Sequence, residues 1–89
     1  MKLVSYLKEN SIPFTQSKNN LSVGGNLYLA GTEVTSLPDN LSVSGNLEIQ
    51  ETGITSLPDN LSVGGDLELI GSGVTNLPDN LSVGGTIYR

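Results

Sequence analysis

The stretch LSVGGNLYLAGTEVTSLPDN, residues 21–40, decides the fold, because the chain repeats it almost unchanged. Residues 41–60 read LSVSGNLEIQETGITSLPDN, and residues 61–80 read LSVGGDLELIGSGVTNLPDN. A fourth unit, LSVGGTIYR, occupies residues 81–89. The period is 20 residues without insertions. Such a period is typical of solenoid proteins, in which each repeat packs only against its neighbours.

Each unit contains two short apolar alternations. Leu21 and Val23 lie two residues apart, and so do Leu27 and Leu29. Alternation with a period of about 2 predicts two short strands per unit, each with one inward face. A unit of this length cannot bury a core alone. We therefore expect the units to stack as coils, with each leucine above its counterpart in the preceding coil.

Two breaks in the pattern predict the corners of each coil. The second glycine of the Gly-Gly pair, Gly25 in the first unit, recurs in every unit, whereas Ser44 replaces the first glycine in the second unit. We expect only the second position to exclude a Cβ, through a positive φ or a close contact with a neighbouring coil. Leu-Pro-Asp-Asn predicts the other corner. Its final asparagines should stack and bond from coil to coil: Asn20, Asn40, Asn60 and Asn80.

These patterns predict a mainly β fold, a single-stack solenoid of about three and a half 20-residue coils with a short N-terminal helical cap. We assign the cap to residues 1–20 and the solenoid to residues 21–89. A cap is expected because the terminal coils of a solenoid otherwise expose apolar faces.

The cap has two parts. Residues 2–9, KLVSYLKE, favour a short helix that cannot continue through Pro13. Residues 11–20 look like a degenerate half-repeat, in which Phe14 takes the place of Val34 in the first full unit.

The motif LxLxGTxVTxLP resembles the short, 20-residue leucine-rich repeat of bacterial proteins, in particular the LPX repeats of type III-secreted effectors. The matching positions are Leu27, Leu29, Val34, Leu37 and Pro38, with Ile49, Ile54, Leu67, Leu69 and Val74 in the later copies. Arrays of LPDNLSVGG are also similar to repeat proteins of bacteriophages and gut bacteria. The resemblance covers residues 21–89 and implies a curved, leucine-rich-repeat-like module for protein–protein binding.

This chain departs from that family at two places. The buried asparagine that the family places at the bend after the strand is Thr32, Thr52 or Ser72 here. A hydroxyl satisfies some of the same backbone groups, but fewer. The family's second Leu-Pro pair is replaced by Asn-Leu-Ser-Val-Gly-Gly, so we expect the opposite side of each coil to be more extended and β-like.

The charge distribution restricts the partners. Nine acids and four bases give a net charge of −5, and no Lys or Arg lies between Asn19 and Tyr88. We therefore expect neither direct nucleic-acid binding nor an anionic membrane partner, since both require basic side chains. A basic protein partner is compatible with this surface. No apolar run is long enough for a signal peptide or a membrane span, so the expected location is the cytoplasm.

The candidate binding face is formed by one outward-facing position of the second strand, which recurs in every unit. We call it the Tyr/Glu face, and it consists of Tyr28, Glu48, Glu68 and Tyr88. Two nearby acids, Asp66 and Glu51, complete the predicted partner-binding set. Tyrosine is enriched at the anchors of protein interfaces, which favours a binding role.

Catalysis is not expected. The chain has no His and no Cys, so the usual general base and the thiolate nucleophile are both missing. The spacing of Glu48 and Glu68 resembles a retaining glycosidase pair, but an exposed sheet face offers no pocket around them. The alternative interpretation of Asp39, Asp59 and Asp79 is a Ca²⁺ site. We expect these three aspartates to be turn residues instead. We expect no cofactor and no metal.

Three hypotheses follow. The leading one is a non-catalytic protein–protein interaction module that uses the Tyr/Glu face. The first alternative is a small acidic phage-encoded inhibitor that mimics nucleic acid and blocks a host or defence enzyme. The second is a structural, self-assembling unit, because the chain stops within a strand whose edge would pair in a homodimer. That self-association edge consists of Thr86, Ile87, Tyr88 and Arg89.

Overall fold

The structure is a computed structural model that describes residues 2–89. It is mainly β, with one short N-terminal helix and stacked parallel coils that form a solenoid of about three turns. The elements are α1 (Leu3–Glu9), β1 (Thr15–Gln16), β2 (Leu21–Val23), β3 (Leu27–Tyr28), β4 (Leu41–Val43), β5 (Leu47–Glu48), β6 (Ser62–Val63), β7 (Leu67–Glu68), β8 (Ser82–Val83) and β9 (Ile87–Tyr88). No helix within the described residues is long and apolar enough to cross a bilayer.

Each coil contributes one strand to each of two sheets. The first sheet has the order β1-β2-β4-β6-β8, and the second has the order β3-β5-β7-β9. All pairings among the repeats are parallel and join a residue to the one 20 positions later, as in Leu21↔Leu41 and Leu27↔Leu47. The structure therefore confirms the predicted solenoid, the two strands per unit and the alignment of leucines from coil to coil. It also confirms the β-like character of the side that contains β2, β4, β6 and β8.

The core consists of apolar columns that run along the stack. In the second sheet Leu27 is 1% exposed and Leu47 and Leu67 are both 0% exposed. The other columns contain the remaining buried repeat residues: Leu21, Leu41 and Leu61; Val23, Val43 and Val63; Leu29, Ile49 and Leu69; Val34 and Ile54; Leu37 and Leu57. Burying one such side chain stabilises the fold by about 1.5–3 kcal/mol. Stacked columns of this kind replace a rounded hydrophobic core.

Hydroxyl groups close the bends that follow β3, β5 and β7. The Thr32 hydroxyl donates to the Leu29 carbonyl at 2.7 Å, and the Thr52 hydroxyl donates to the Ile49 carbonyl at 2.8 Å. In the third coil the Ser72 hydroxyl accepts from the Val74 N–H at 3.4 Å. This confirms that a hydroxyl at this position satisfies backbone groups of the bend.

The second glycine of each pair excludes a Cβ, as predicted. Gly25 has a φ of +124°, which L-residues rarely adopt. In the later coils a Cβ at this position would collide with a side-chain oxygen of the preceding coil. The colliding pairs are Gly45 with Asn26, Gly65 with Asn46, and Gly85 with Asp66.

The prediction that the first position of the pair tolerates a Cβ is wrong for the last two coils. A Cβ on Gly64 would collide with the Ser44 carbonyl oxygen, and one on Gly84 would collide with the Gly64 carbonyl oxygen. The Ser44 hydroxyl accepts a hydrogen bond from the Gly25 N–H at 2.6 Å. The substitution is therefore a specific contact between the first two coils and does not indicate general tolerance.

The N-terminal helix covers the first coil. Leu3 and Leu7 on α1 are 1% and 0% exposed and join the core. The helix ends at Glu9 and is capped by Asn10, whose side-chain amide donates to the Tyr6 carbonyl at 2.9 Å. Ser11 then adopts a φ of +54°, which turns the chain away from the helix axis.

The segment predicted to be a degenerate half-repeat folds differently. Its strand β1 runs antiparallel to β2, with Thr15 opposite Ser22, whereas a repeat would run parallel. The cause is a tight turn in which the Ser17 N–H donates to the Asn20 carbonyl at 2.9 Å and reverses the chain. Phe14 still packs against the core, half-buried. Lys2, the N-cap residue of the helix, forms a parallel β-bridge with Ser36 of the first coil.

Candidate protein-binding face

The second sheet aligns the four residues of the Tyr/Glu face. Register places Tyr28 opposite Glu48, Glu48 opposite Glu68, and Glu68 opposite Tyr88. Each lies next to an inward-facing leucine or isoleucine, so the alternation of the strand points these side chains outward. Adjacent members are separated by about 4.8 Å, the spacing of hydrogen-bonded strands. The structure thus forms one continuous row from residues that are 20 positions apart in the sequence.

Apolar surface lies at both ends of this row. Tyr28 is 53% exposed and Tyr88 is 42% exposed. Ile70, which is 52% exposed, lies two residues beyond Glu68 on the same outward face. Ile70 was not among the predicted partner-binding residues, although the alternation of the strand places it in an outward row beside the Tyr/Glu face. The available signal was an isoleucine at the outward position that Ala30 and Gln50 occupy in the other coils.

The centre of the row is acidic, and the sequence between Asn19 and Tyr88 contains no Lys or Arg to neutralise it. Glu48 is half-buried and accepts a hydrogen bond from the Gln50 side-chain amide at 3.3 Å. The other amide atom of Gln50, Oε1, is buried without a hydrogen-bond partner. Glu68 is half-buried directly beside Glu48. Like charges on adjacent strands repel, so this centre would gain from a cationic partner group.

Asp66 has a structural role that sequence reasoning missed. Its Oδ1 accepts a hydrogen bond from the Thr86 N–H in the next coil at 2.9 Å. Asn26 bonds the Asn46 N–H in the same way at 2.8 Å, and Asn46 bonds the Asp66 N–H at 2.8 Å. We call this series the Asx ladder. Asp66 was predicted to bind a partner, but one of its carboxylate oxygens already accepts the hydrogen bond that links the third and fourth coils.

The Asx ladder and the second glycine depend on each other. The side-chain oxygen of Asn26 occupies the space where a Cβ of Gly45 would be. The same holds for Asn46 beneath Gly65. The sequence signal for this arrangement is the recurring Gly-Asx pair. The glycine leaves space for the Asx side chain of the preceding coil, and the Asx side chain accepts a hydrogen bond from the backbone of the following coil.

Glu51 lies at a turn that favours glycine. Its φ is +53°, and the equivalent residues Gly31 and Gly71 have φ values of +71° and +75°. A non-glycine residue in this left-handed region costs about 1 kcal/mol or more. Glu51 is exposed and follows Glu48 by three residues, so it adds a negative charge at the end of the strand that bears the face.

The Asp-Asn corner forms a second column of coil-to-coil bonds. The Asn60 amide donates to the Asn40 side-chain oxygen at 2.9 Å, and the Asn60 N–H donates to the Asn80 side-chain oxygen at 3.2 Å. This confirms the predicted coil-to-coil bonding for Asn40, Asn60 and Asn80. The prediction is wrong for Asn20, because its amide donates to the Ser17 hydroxyl at 3.4 Å and the Asn40 amide donates to the Asn19 carbonyl at 2.9 Å instead. The Asp39 carboxylate accepts from the Asp59 N–H at 3.1 Å, so it also bonds the backbone of the next coil. Residues 2–89 contain no group of three or more His, Cys, Asp or Glu arranged to hold a metal ion.

The predicted self-association edge is the outer strand of the second sheet. Ile87 and Tyr88 form β9, which pairs with β7 on one side. Ile87 is half-buried, whereas Thr86 and Arg89 are exposed. The Arg89 guanidinium donates to the Thr75 carbonyl at 3.2 Å, across the end of the stack. Association through this edge stays a prediction.

Comparison with known proteins gives no further assignment. No family model, no curated protein and no solved structure matches this chain.

Proposed function

We propose that the chain is a non-catalytic protein-binding module that engages its partner through the Tyr/Glu face. The observation that carries this proposal is the in-register row in which two exposed tyrosines flank two adjacent carboxylates. Folding does not require this arrangement, because the outward position makes no contribution to the apolar columns. The resemblance to leucine-rich repeats is a second support, since that family binds proteins through the equivalent strand face.

The chemistry of the row defines the partner. Tyr28 and Tyr88 each offer a large, rigid apolar surface with a polar tip, which is the usual anchor of a protein interface. Between them, Glu48 and Glu68 favour a Lys or Arg side chain, and Arg can bond a carboxylate in a bidentate manner. The proposed partner is therefore a protein surface that presents one or two basic side chains between two apolar contacts.

Photocrosslinking tests where the partner binds. A benzophenone amino acid is placed at Tyr28, and in a matched control at Ser62, which is exposed on the opposite sheet. Both proteins are irradiated in a lysate of the cell that makes this chain. We expect a specific adduct from position 28 and none from position 62. Equal adducts from both positions would contradict the proposed face.

Charge reversal tests the acidic centre. Glu48→Lys with Glu68→Lys should abolish capture of the crosslinked partner while the far-UV circular dichroism stays unchanged. The matched control is Glu9→Lys with Asp79→Lys, which changes the net charge equally at exposed positions outside the face. If both pairs weaken capture equally, net charge and not the face determines binding.

The second candidate function is an acidic inhibitor that mimics nucleic acid. The observation that favours it is the absence of Lys and Arg between Asn19 and Tyr88, against eight acids. In this hypothesis a phage-encoded protein blocks the basic groove of a host or defence enzyme. Salt distinguishes the two functions, because mimicry should weaken steeply as ionic strength rises, whereas a tyrosine-anchored interface should weaken little.

Either partner would be met in the cytoplasm of the producing or phage-infected bacterial cell, and we include that location in the proposal. The third candidate is a structural unit that assembles through the edge formed by β9. Its distinguishing property is the mass in solution without any partner, which sedimentation equilibrium measures: a mass of two or more chains supports this candidate, and a mass of one chain contradicts it.

A further inference from the structure

The N-terminal cap covers the edge of the first sheet but leaves the edge of the second sheet without a strand. In the first sheet β2 lies between β1 and β4, whereas in the second sheet β3 pairs with β5 alone. The isolated bridge of the cap joins Lys2 to Ser36 and does not involve β3. Within residues 2–89, β3 is therefore an edge strand on the side of the stack that bears the cap.

Three backbone carbonyls face this edge without a donor, those of Asn26, Tyr28 and Ala30. The carbonyls of the residues 20 positions later accept N–H groups of the first coil at 2.8 Å, 2.8 Å and 3.1 Å. The repeat therefore directs the three carbonyls of the first coil towards the cap. No backbone N–H of residues 2–89 donates to any of them.

Two backbone N–H groups face the same edge. The Asn46 N–H donates to the Asn26 side-chain oxygen of the preceding coil, but Asn26 begins the Asx ladder and its own N–H has no such acceptor. The Tyr28 N–H points to the same side as the Tyr28 carbonyl, because a residue of a parallel strand directs both groups towards one neighbour. The β3 edge thus presents donors and acceptors in the arrangement that pairs with a further strand.

Open space adjoins both ends of β3. A Cβ built on Gly25 or on Gly31 has no atom within 4 Å. By contrast, a Cβ on Gly65 would collide with the side-chain oxygen of Asn46 in the preceding coil. The Tyr28 side chain is exposed as well. An added strand would therefore find space beside both glycines.

The surface at the C-terminal end of β3 favours a basic segment. A cleft between α1 and the bend that follows β3 is lined by Tyr6, Glu9, Asn10, Thr32 and Glu33. These five residues include two carboxylates and no cation. A segment parallel to β3 would pass the Tyr/Glu face and reach this cleft with its C-terminal end, where basic side chains are attracted.

We propose that the edge of β3 binds an extended, basic segment of a partner protein, which joins the second sheet as a strand parallel to β3. An Asn or Asp of the segment accepts from the Asn26 N–H and so adds one step to the Asx ladder. The next residue and the one two positions beyond it donate their N–H groups to the Asn26 and Tyr28 carbonyls. The parallel direction follows from the ladder, since each coil holds its neighbour in the same way.

Hydrogen exchange with a synthetic peptide tests the proposal on the natural protein. The probe is SGNLKIKG, acetylated and amidated, in which SGNL copies residues 44–47 and lysines replace Glu48 and Gln50 of the second coil. At a peptide concentration of about 2 mM, exchange of the Asn26 and Tyr28 amides should slow at least about tenfold. The Glu48 amide lies inside the sheet and should not change. Unchanged exchange at Asn26 and Tyr28 would overturn the proposal.

The matched control is the same peptide with N-methyl groups on its leucine and isoleucine. It keeps the charge and every side chain but loses the two N–H groups that would bond the carbonyls of β3. We expect no slowing of exchange with this peptide. Equal protection by both peptides would assign the effect to side-chain or charge contacts and would contradict strand addition.

This inference rests on the proposed function only in its premise that the chain binds a protein segment. Amide exchange reports the backbone of β3, whereas crosslinking at position 28 and charge reversal at Glu48 and Glu68 report side chains of the Tyr/Glu face. Failure of strand addition with retained crosslinking would therefore overturn this inference alone. Strand addition without crosslinking would move the binding site from the face to the edge.

Discussion

The inward and outward positions of the second sheet follow the repeat to different degrees. Inward, Leu27, Leu47 and Leu67 are identical and at most 1% exposed. Outward, the next residue is Tyr, Glu, Glu and Tyr in successive coils. Packing requires a similar side chain at each buried level because each leucine contacts the one above and below. The outward residues differ from coil to coil, so folding does not determine them. Their identity can therefore be set by binding.

The largest expected effect is at the inward position. Leu47→Ala should lower the free energy of unfolding by about 3 kcal/mol, because it leaves a cavity between two coils. Urea titration followed by circular dichroism measures the change. The neighbouring outward change Glu48→Ala is the control and should shift stability by less than about 0.5 kcal/mol. Similar losses for both would mean that the two positions are not distinguished by packing.

The next effect concerns the glycines that separate the coils. Gly65→Ala should cost about 2 kcal/mol, because its Cβ would collide with the Asn46 side-chain oxygen and lie 3.1 Å from the Gly45 carbonyl carbon. Gly24→Ala is the matched control, since no atom lies within 4 Å of a Cβ at that position. Thermal unfolding of both variants is sufficient, and an equal decrease in Tm would contradict the collision.

A smaller effect is expected in the Asx ladder. Asn46→Ala removes the acceptor for the Asp66 N–H and should lower stability by about 1 kcal/mol. Asn46→Asp keeps that acceptor, as Asp66 does in the third coil, and should retain most of the stability. Hydrogen exchange of the Asp66 amide provides a local readout. If the alanine variant protects this amide as well as the natural protein does, the ladder bond is not important.

A gain of similar size is expected at the strained turn. Glu51→Gly should raise the free energy of unfolding by about 0.5–1 kcal/mol, because glycine adopts a positive φ without steric cost, as Gly31 and Gly71 do. Glu51→Asn should give a smaller gain, since asparagine tolerates the left-handed region better than glutamate. A loss of stability in the glycine variant would show that the Glu51 side chain makes a compensating contact.

The smallest effect on stability is expected at the Tyr/Glu face. Glu48→Gln with Glu68→Gln should change the free energy of unfolding by less than about 0.5 kcal/mol, with a slight gain from relieved repulsion. The same pair should weaken binding to the crosslinked partner at least about tenfold, as measured by calorimetry. Unchanged affinity together with unchanged stability would indicate that these carboxylates are ordinary solvated residues.

The sequence predicted the parts of the fold that its periodicity determines. Residues 20 positions apart had to align, so the pairing of Leu27 with Leu47 and the row of the Tyr/Glu face followed from counting. The direction of β1 did not follow, because Phe14 occupies a repeat-like position while the turn between Ser17 and Asn20 reverses the chain. A single hydrogen bond of that kind has no counterpart in the repeat pattern.

Contacts between coils were harder to predict than alignment. Ser44 suggested general tolerance at the first glycine position, whereas the carbonyl of Ser44 itself blocks a Cβ on Gly64. The ladder role of Asp66 was missed for the same reason, since it depends on which atoms of one coil reach the next. Within the candidate site, the alternation of the strand predicts that Ile70 points outward, whereas the exposed fraction of its side chain depends on the neighbouring coils.

The uniform 20-residue offset between paired strands also bears on how such a gene can change length. Since every coil offers the next one the same platform, unequal recombination between the near-identical copies would add or delete a whole coil wherever the crossover falls. Each added coil would then lengthen the outward row by one residue, while the packing of the core stayed the same.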